Sequence, residues 1–188
     1  SYRAALQLDA NIADVHRHLA KVEARLEQYQ SALLSYRQAL EVDAGDAEAR
    51  VELAALHQQL GQTQVGRGVL AAGLAAGLAE DGSETALLHQ ELGRLLWQDG
   101  DAERALEHFA RTLALDGASE LARQYMGLIY STQGQYKKAL EAFLTLAAMR
   151  PLDAALQVNI GIVHSQAGDL KAAEAAFKKA LDLGGDGG

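Results

Sequence analysis

Large apolar side chains return along this 188-residue chain at an almost fixed interval. Tyr2, Tyr36, Leu70, Phe109, Phe143 and Phe177 are separated by 34, 34, 39, 34 and 34 residues. A period of that size predicts a stack of small units, each covering its neighbour's apolar face, rather than one globular core. Smaller residues keep the same phase. Ala32, Ala105, Ala139 and Ala173 lie four positions before a marker, Ala5, Ala39 and Ala180 lie three after one, and Leu6, Leu40, Leu74, Leu113 and Leu181 complete the stripe. Offsets of three and four place them on one helical face, where alanine permits close approach and the large side chain fills the gap.

A second stripe stands upstream in each unit and couples a large residue to a small one: Leu19-Ala20, Leu53-Ala54, Leu92-Gly93, Met126-Gly127 and Ile160-Gly161. Between the stripes come Gly61, Gly100, Gly134 and Gly168, at the place where a left-handed residue ends a helix and starts a tight turn. Each unit therefore reads as helix, turn, helix. The segments Leu8-Asp9-Ala10, Val42-Asp43-Ala44-Gly45-Asp46, Leu115-Asp116-Gly117-Ala118-Ser119 and Met149-Arg150-Pro151-Leu152-Asp153 are expected to stop one unit and cap the next.

These residues resemble the tetratricopeptide repeat, a 34-residue helix pair with Leu-Gly, Tyr, Gly, Ala, Phe, Ala and Pro at set places. Met126-Gly127, Tyr130, Gly134, Tyr136, Ala139, Phe143 and Pro151 match best. The resemblance runs through essentially the whole chain. It divides it into the second half of one repeat (1–12) and full repeats at 13–46, 47–85, 86–119, 120–153 and 154–187. It implies an all-α fold, an α-solenoid of antiparallel helix pairs wound into a right-handed superhelix. The 47–85 repeat departs from the pattern. It is five residues longer than its neighbours and carries Gly66, Gly68, Gly73 and Gly77 where alanine is expected. The plainer expectation is a longer loop at Asp81-Gly82-Ser83, the sharper one a joint where the array flexes. Gly184-Gly185-Asp186-Gly187-Gly188 is expected to stop the last helix without a polar capping helix, and the first marker already falls at residue 2. The chain reads as a piece of a longer protein, with a bacterial style of composition.

Twenty-five acidic residues against 17 Lys and Arg give a formal charge of −8, which argues against nucleic acid as a partner. No stretch is long and apolar enough for direct membrane insertion, and the absence of cysteine leaves the compartment open between cytoplasm and periplasm. No phosphate loop, zinc-protease motif or nucleophile elbow is present. His16 and His89 hold equivalent places in two repeats, as do His57 and His164, which suits packing or surface roles better than a metal site. We expect no enzyme activity, no cofactor and no bound metal.

In tetratricopeptide arrays the first helix of each repeat lines a concave binding face. Carried onto this chain, the resemblance assigns partner binding to Arg17, Lys21, Arg25, Gln90, Arg94, Trp97, Leu121, Leu128, Val158 and Ile162. This face is expected to be basic at Arg17, Lys21 and Arg25, rich in amides around Arg94 and Trp97, and apolar at Leu121, Leu128, Val158 and Ile162. Trp97 suits either an interface anchor or packing within the chain. The carboxylate clamp of chaperone-binding members is disfavoured by Glu52 and Glu91, and the asparagine ladder of glycosyltransferase-linked members by its single counterpart, Asn159. The expected function is a protein-interaction scaffold that takes a peptide or helix of a protein partner in the groove. Alternatives are the recruiting or assembly arm of a larger enzyme or of an envelope polysaccharide or secretion machine, and self-association of copies through the terminal repeats.

Overall fold

The structure is a computed structural model that describes the backbone of residues 2–77 and 82–185 and the side chains of residues 12–77 and 82–184. Among the described residues it contains ten helices and no strand: α1 (Tyr2–Arg25), α2 (Tyr29–Val42), α3 (Ala47–Gln59), α4 (Thr63–Ala75), α5 (Gly82–Gln98), α6 (Ala102–Leu115), α7 (Glu120–Thr132), α8 (Tyr136–Met149), α9 (Ala154–Gln166) and α10 (Leu170–Gly185). The chain divides into two compact units, residues 1–117 and 118–188.

In the first unit α1 pairs with α2, α3 with α4 and α5 with α6, while α2 leans on α3 and α4 on α5. In the second, α7 pairs with α8 and α9 with α10, and α8 leans on α9. Local chemistry sets the joints. Gly61, Gly100, Gly134 and Gly168 all take φ between +71° and +85°, as a turn after the first helix of each pair requires. The Asp46, Asp101, Ser119 and Asp153 side chains each accept a hydrogen bond from a backbone N–H of the helix they precede.

Within a pair, the small residue of the first helix sits under the large marker of the second. A Cβ at Gly127 would stand 2.6 Å from the Phe143 ring, and one at Gly161 would stand 2.7 Å from the Phe177 ring. Between pairs, side chains from both helices share one apolar cluster. Leu33 and Tyr36 of α2 meet Leu53 and Leu56 of α3, and Phe143 and Leu146 of α8 meet Leu156, Ile160 and Val163 of α9. Burying each such side chain contributes about 1.5–3 kcal/mol, so these seams hold the stack together.

Three local expectations fail. The backbone runs unbroken through Leu8-Asp9-Ala10 in the 24-residue α1, because that segment lacks the glycine or proline found in the other joints. Gly82 and Ser83 open α5 instead of forming a loop, and Asp81 lies outside the described residues. The long repeat spends its extra length on helix: α5 has 17 residues against 13 in α3, α7 and α9, starting one turn ahead of its counterparts. Gly184 and Gly185 belong to α10, while Asp186, Gly187 and Gly188 lie outside the described residues. The side chains of Tyr2, Ala5 and Leu6 also lie outside them.

Candidate functional site

The sequence-assigned binding residues all fall on the first helices of the pairs: Arg17, Lys21 and Arg25 on α1, Gln90, Arg94 and Trp97 on α5, Leu121 and Leu128 on α7, Val158 and Ile162 on α9. What surrounds them differs sharply between the two units.

In the first unit the face is polar and bound to itself. Arg17 lies in a cage of carboxylates: Asp14 at 2.8 Å, Asp46 at 3.7 Å and Glu48, the latter two from the next pair. Burial pulls the Arg17 pKa down, but Asp46, Glu48 and Asp14 outweigh it and the net shift is upward. The ammonium of Lys21 meets Glu52 of α3 at 2.5 Å. Across the next step, Gln58 Nε2 donates to Gln98 Oε1 at 2.5 Å, and Arg94 donates to Glu91 at 2.7 Å and to Gln58 at 3.4 Å. Trp97 is half-buried on α5, and Arg25 is exposed.

The expected basic end is therefore corrected. Arg17 is neutralised by Asp14 of its own helix and by Asp46 and Glu48 at the start of α3, and Lys21 by Glu52 of α3. Beside Arg17 opens a cleft of about 520 Å³ whose charged lining includes Asp14, Asp43, Asp46, Glu48 and Glu84. Sequence reasoning missed this excess of negative charge. Asp46 reads as a helix cap, and Glu84 reaches the cleft only because α5 gains its extra turn. The one available signal was that both Asp46 and Glu48 stand at the start of α3, one repeat after Arg17.

In the second unit the same face is apolar. Val158 and Ile162 lie one helical turn apart on α9, and both are exposed. Leu121 and Leu128 of α7 are half-buried, Leu128 resting on the core cluster of the unit. Ser131 Oγ donates to Gln166 Oε1 at 2.8 Å, tying the two first helices together at the end of this strip. The four residues expected to form the apolar part thus lie on α7 and α9, two of them exposed and two half-buried.

His18, His57, His89 and His108 make hydrogen bonds within their own helix or helix pair. His57 Nδ1 meets Gln62 at 2.8 Å, and His89 and His108 face each other Nδ1 to Nδ1 at 2.8 Å across the α5–α6 pair. Burial, with Arg111, lowers the pKa of His89. Burial, His89, Arg111 and Arg104 together lower that of His108 to about 4. Among the described residues no three His, Asp or Glu side chains converge as a metal site would need, and no helix is long and apolar enough to cross a membrane.

Comparison with known proteins agrees with this architecture. A family model for the tetratricopeptide repeat matches residues 126–187. No curated protein matches the chain. Among solved structures, a crystal structure of MamA superposes with a TM-score of 0.76 at 20% identity, covering 92% of this chain and 91% of that one. A MamA fragment, 41-end, from Desulfovibrio magneticus RS-1 gives 0.77 at 20% identity, with 93% and 96% covered. YrrB, described with its crystal structure as a TPR protein with an unusual peptide-binding site, gives 0.72 at 22% identity, with 100% and 94% covered. The helix pairs, the left-handed turn glycines and the markers packed over small residues give this chain the all-α fold of tetratricopeptide-repeat structures, and its residues 126–187 match the model of that repeat family.

Proposed function

We propose that this chain is a non-catalytic interaction module whose second unit holds a peptide segment of a protein partner against the first-helix face of α7 and α9. One observation carries the reading: Val158 and Ile162 remain exposed beside half-buried Leu121 and Leu128, on the first-helix face where the first unit pairs Lys21 with Glu52 and Gln58 with Gln98. An apolar strip left in water costs free energy, and covering it with apolar side chains of a partner recovers about 25 cal/mol per Å². The peptide-binding site of YrrB, a structural relative, supports a peptide as the ligand class.

The reading is tested by selecting binders from a random peptide display library and mapping a selected peptide by amide chemical shifts. The expected result is a peptide with spaced apolar residues whose shifts concentrate on α7 and α9. Shifts confined to the second helices α8 and α10 would overturn it.

A further inference from the structure

The first-helix face of the second unit is not only apolar but uncharged. Leu121, Gln124 and Leu128 follow one another along one side of α7 at steps of three and four residues, as do Val158, Ile162 and Ser165 along α9. No Asp, Glu, Lys or Arg occurs anywhere in α9, and α7 has only Glu120 and Arg123. Arg123 stands two residues past Leu121, on another side of the helix, and its counterpart one repeat on, Gln157, is buried. Glu120 opens α7, where Arg150 meets it at 3.7 Å while holding Asp153 at 2.6 Å. His164 comes two residues after Ile162 and meets Asp169 at 3.9 Å. The polar groups left on the face are neutral: exposed Gln124 and Ser165, and the bond from Ser131 to Gln166 at 2.8 Å. The first unit differs, since its first helices present the ion pairs of Lys21 with Glu52 and of Arg94 with Glu91.

Resting on the peptide face proposed above, we infer that its ligand is an uncharged, internal segment of a partner protein, with apolar side chains on Val158 and Ile162 and neither a charged side chain nor a free chain end in contact. Desolvation is the reason. A carboxylate or an ammonium pressed onto the strip gives up its water and finds no counter-charge, which outweighs the gain of an apolar contact. Both signs are penalised alike, because the face offers neither, and a terminal carboxylate meets the same penalty as an acidic side chain. Main-chain amides are admitted, since the amide of Gln124 and the hydroxyl of Ser165 both donate and accept. From Leu121 to Leu128 the strip runs about 10 Å along α7, the length of about three residues of extended chain. Two apolar residues flanking one neutral residue fill it.

An immobilised peptide array tests it. The frame is acetyl-Gly-Ser-X-Gln-Z-Ser-Gly-amide, with X and Z each taking every residue type, and a second set ends at Z with a free carboxylate. The labelled chain is the probe and the Ile162→Glu chain the reference, so that only signal lost in the reference is assigned to the strip. Ile162 is exposed, and circular dichroism checks that the variant folds. The expected result is strip signal confined to apolar X and Z, weaker by at least about tenfold for Asp, Glu, Lys or Arg at either place and for the free carboxylate. That signal changes less than about twofold between low salt and about 0.5 M, because no charge pair is made. Strip signal that is retained with an acid or a base at X or Z, that prefers the free carboxylate, or that falls steeply with salt would overturn the inference and leave the peptide face standing. No strip signal from any member would overturn the peptide face itself, and the inference with it.

Discussion

Gly66 of α4 lies directly against the backbone of Ala54 of α3: a Cβ at position 66 would stand 2.8 Å from the Ala54 carbonyl oxygen. Two residues on, Gly68 faces open space, with nothing within 4 Å of the same construction. The two glycines share a helix and differ only in which side they face, so they should respond oppositely to alanine. Gly66→Ala is expected to destabilise by about 1–3 kcal/mol, because the obstacle is backbone and cannot rotate away. Gly68→Ala should stabilise by about 0.5–1 kcal/mol through helix propensity and a less free unfolded chain. Urea unfolding midpoints check both.

Glu27 occupies the first-pair counterpart of Gly61 and takes φ +60°, a conformation that costs an L-residue about 1–2 kcal/mol. Glu27→Gly is expected to raise stability by about 0.5–1 kcal/mol, after the added freedom of glycine in the unfolded chain is counted. An unchanged or lower melting temperature would contradict it.

The His89–His108 pair predicts acid sensitivity in the first unit. One ring donates and the other accepts, so both must not be charged together. With His108 moved from its ordinary 6.5 to about 4, the unfolded chain binds the proton first as pH falls. The pair's contribution is therefore complete above about pH 6.5 and is lost progressively toward about pH 4. Melting temperature measured against pH for the unmodified chain and His108→Gln should diverge in their slopes across that window, with the flatter curve for the variant. Parallel curves would refute the assignment.

Arg17 and Arg25 are both on α1 and both read from sequence as binding residues, yet they predict different phenotypes. Arg17→Ala removes the cation among Asp14, Asp46 and Glu48 and should cost about 1–2 kcal/mol of stability. Arg25→Ala, at an exposed position, should change stability by less than about 0.5 kcal/mol. Thermal unfolding of the two variants separates a structural arginine from a surface one.

Which features could be read in advance follows from how local their physics is. The turn glycines and the Asp46, Ser119 and Asp153 caps act on the next one or two residues, so their places were legible at once. The marker phase was legible because each marker repeats the same contact with a small residue upstream. The distinction between Gly66 and Gly68 was not, since it depends on where the α3 backbone passes. The same holds for Arg17, whose partners Asp46 and Glu48 stand at the start of α3, and for the 39-residue interval, which could equally have been loop. At α1 the expected turn rested on Leu8-Asp9-Ala10 alone, and without glycine or proline the helix continues. Of the assigned face, the placement of Leu121, Leu128, Val158 and Ile162 on first helices was legible, because it follows from the repeat phase alone. The polar strip on α1 was not, because charge alone does not reveal its counter-charge.

The central functional claim is that a partner peptide is held by the apolar strip of the second unit. Titration calorimetry of a display-selected peptide against the chain, Ile162→Glu and Leu144→Glu tests it most directly, since both residues are exposed but Leu144 lies on α8, outside the strip. A loss of at least about tenfold in affinity is expected for Ile162→Glu, as a charge replaces a covered apolar contact, with Leu144→Glu unchanged. Equal affinity for the chain and Ile162→Glu, or a loss confined to Leu144→Glu, would contradict the account.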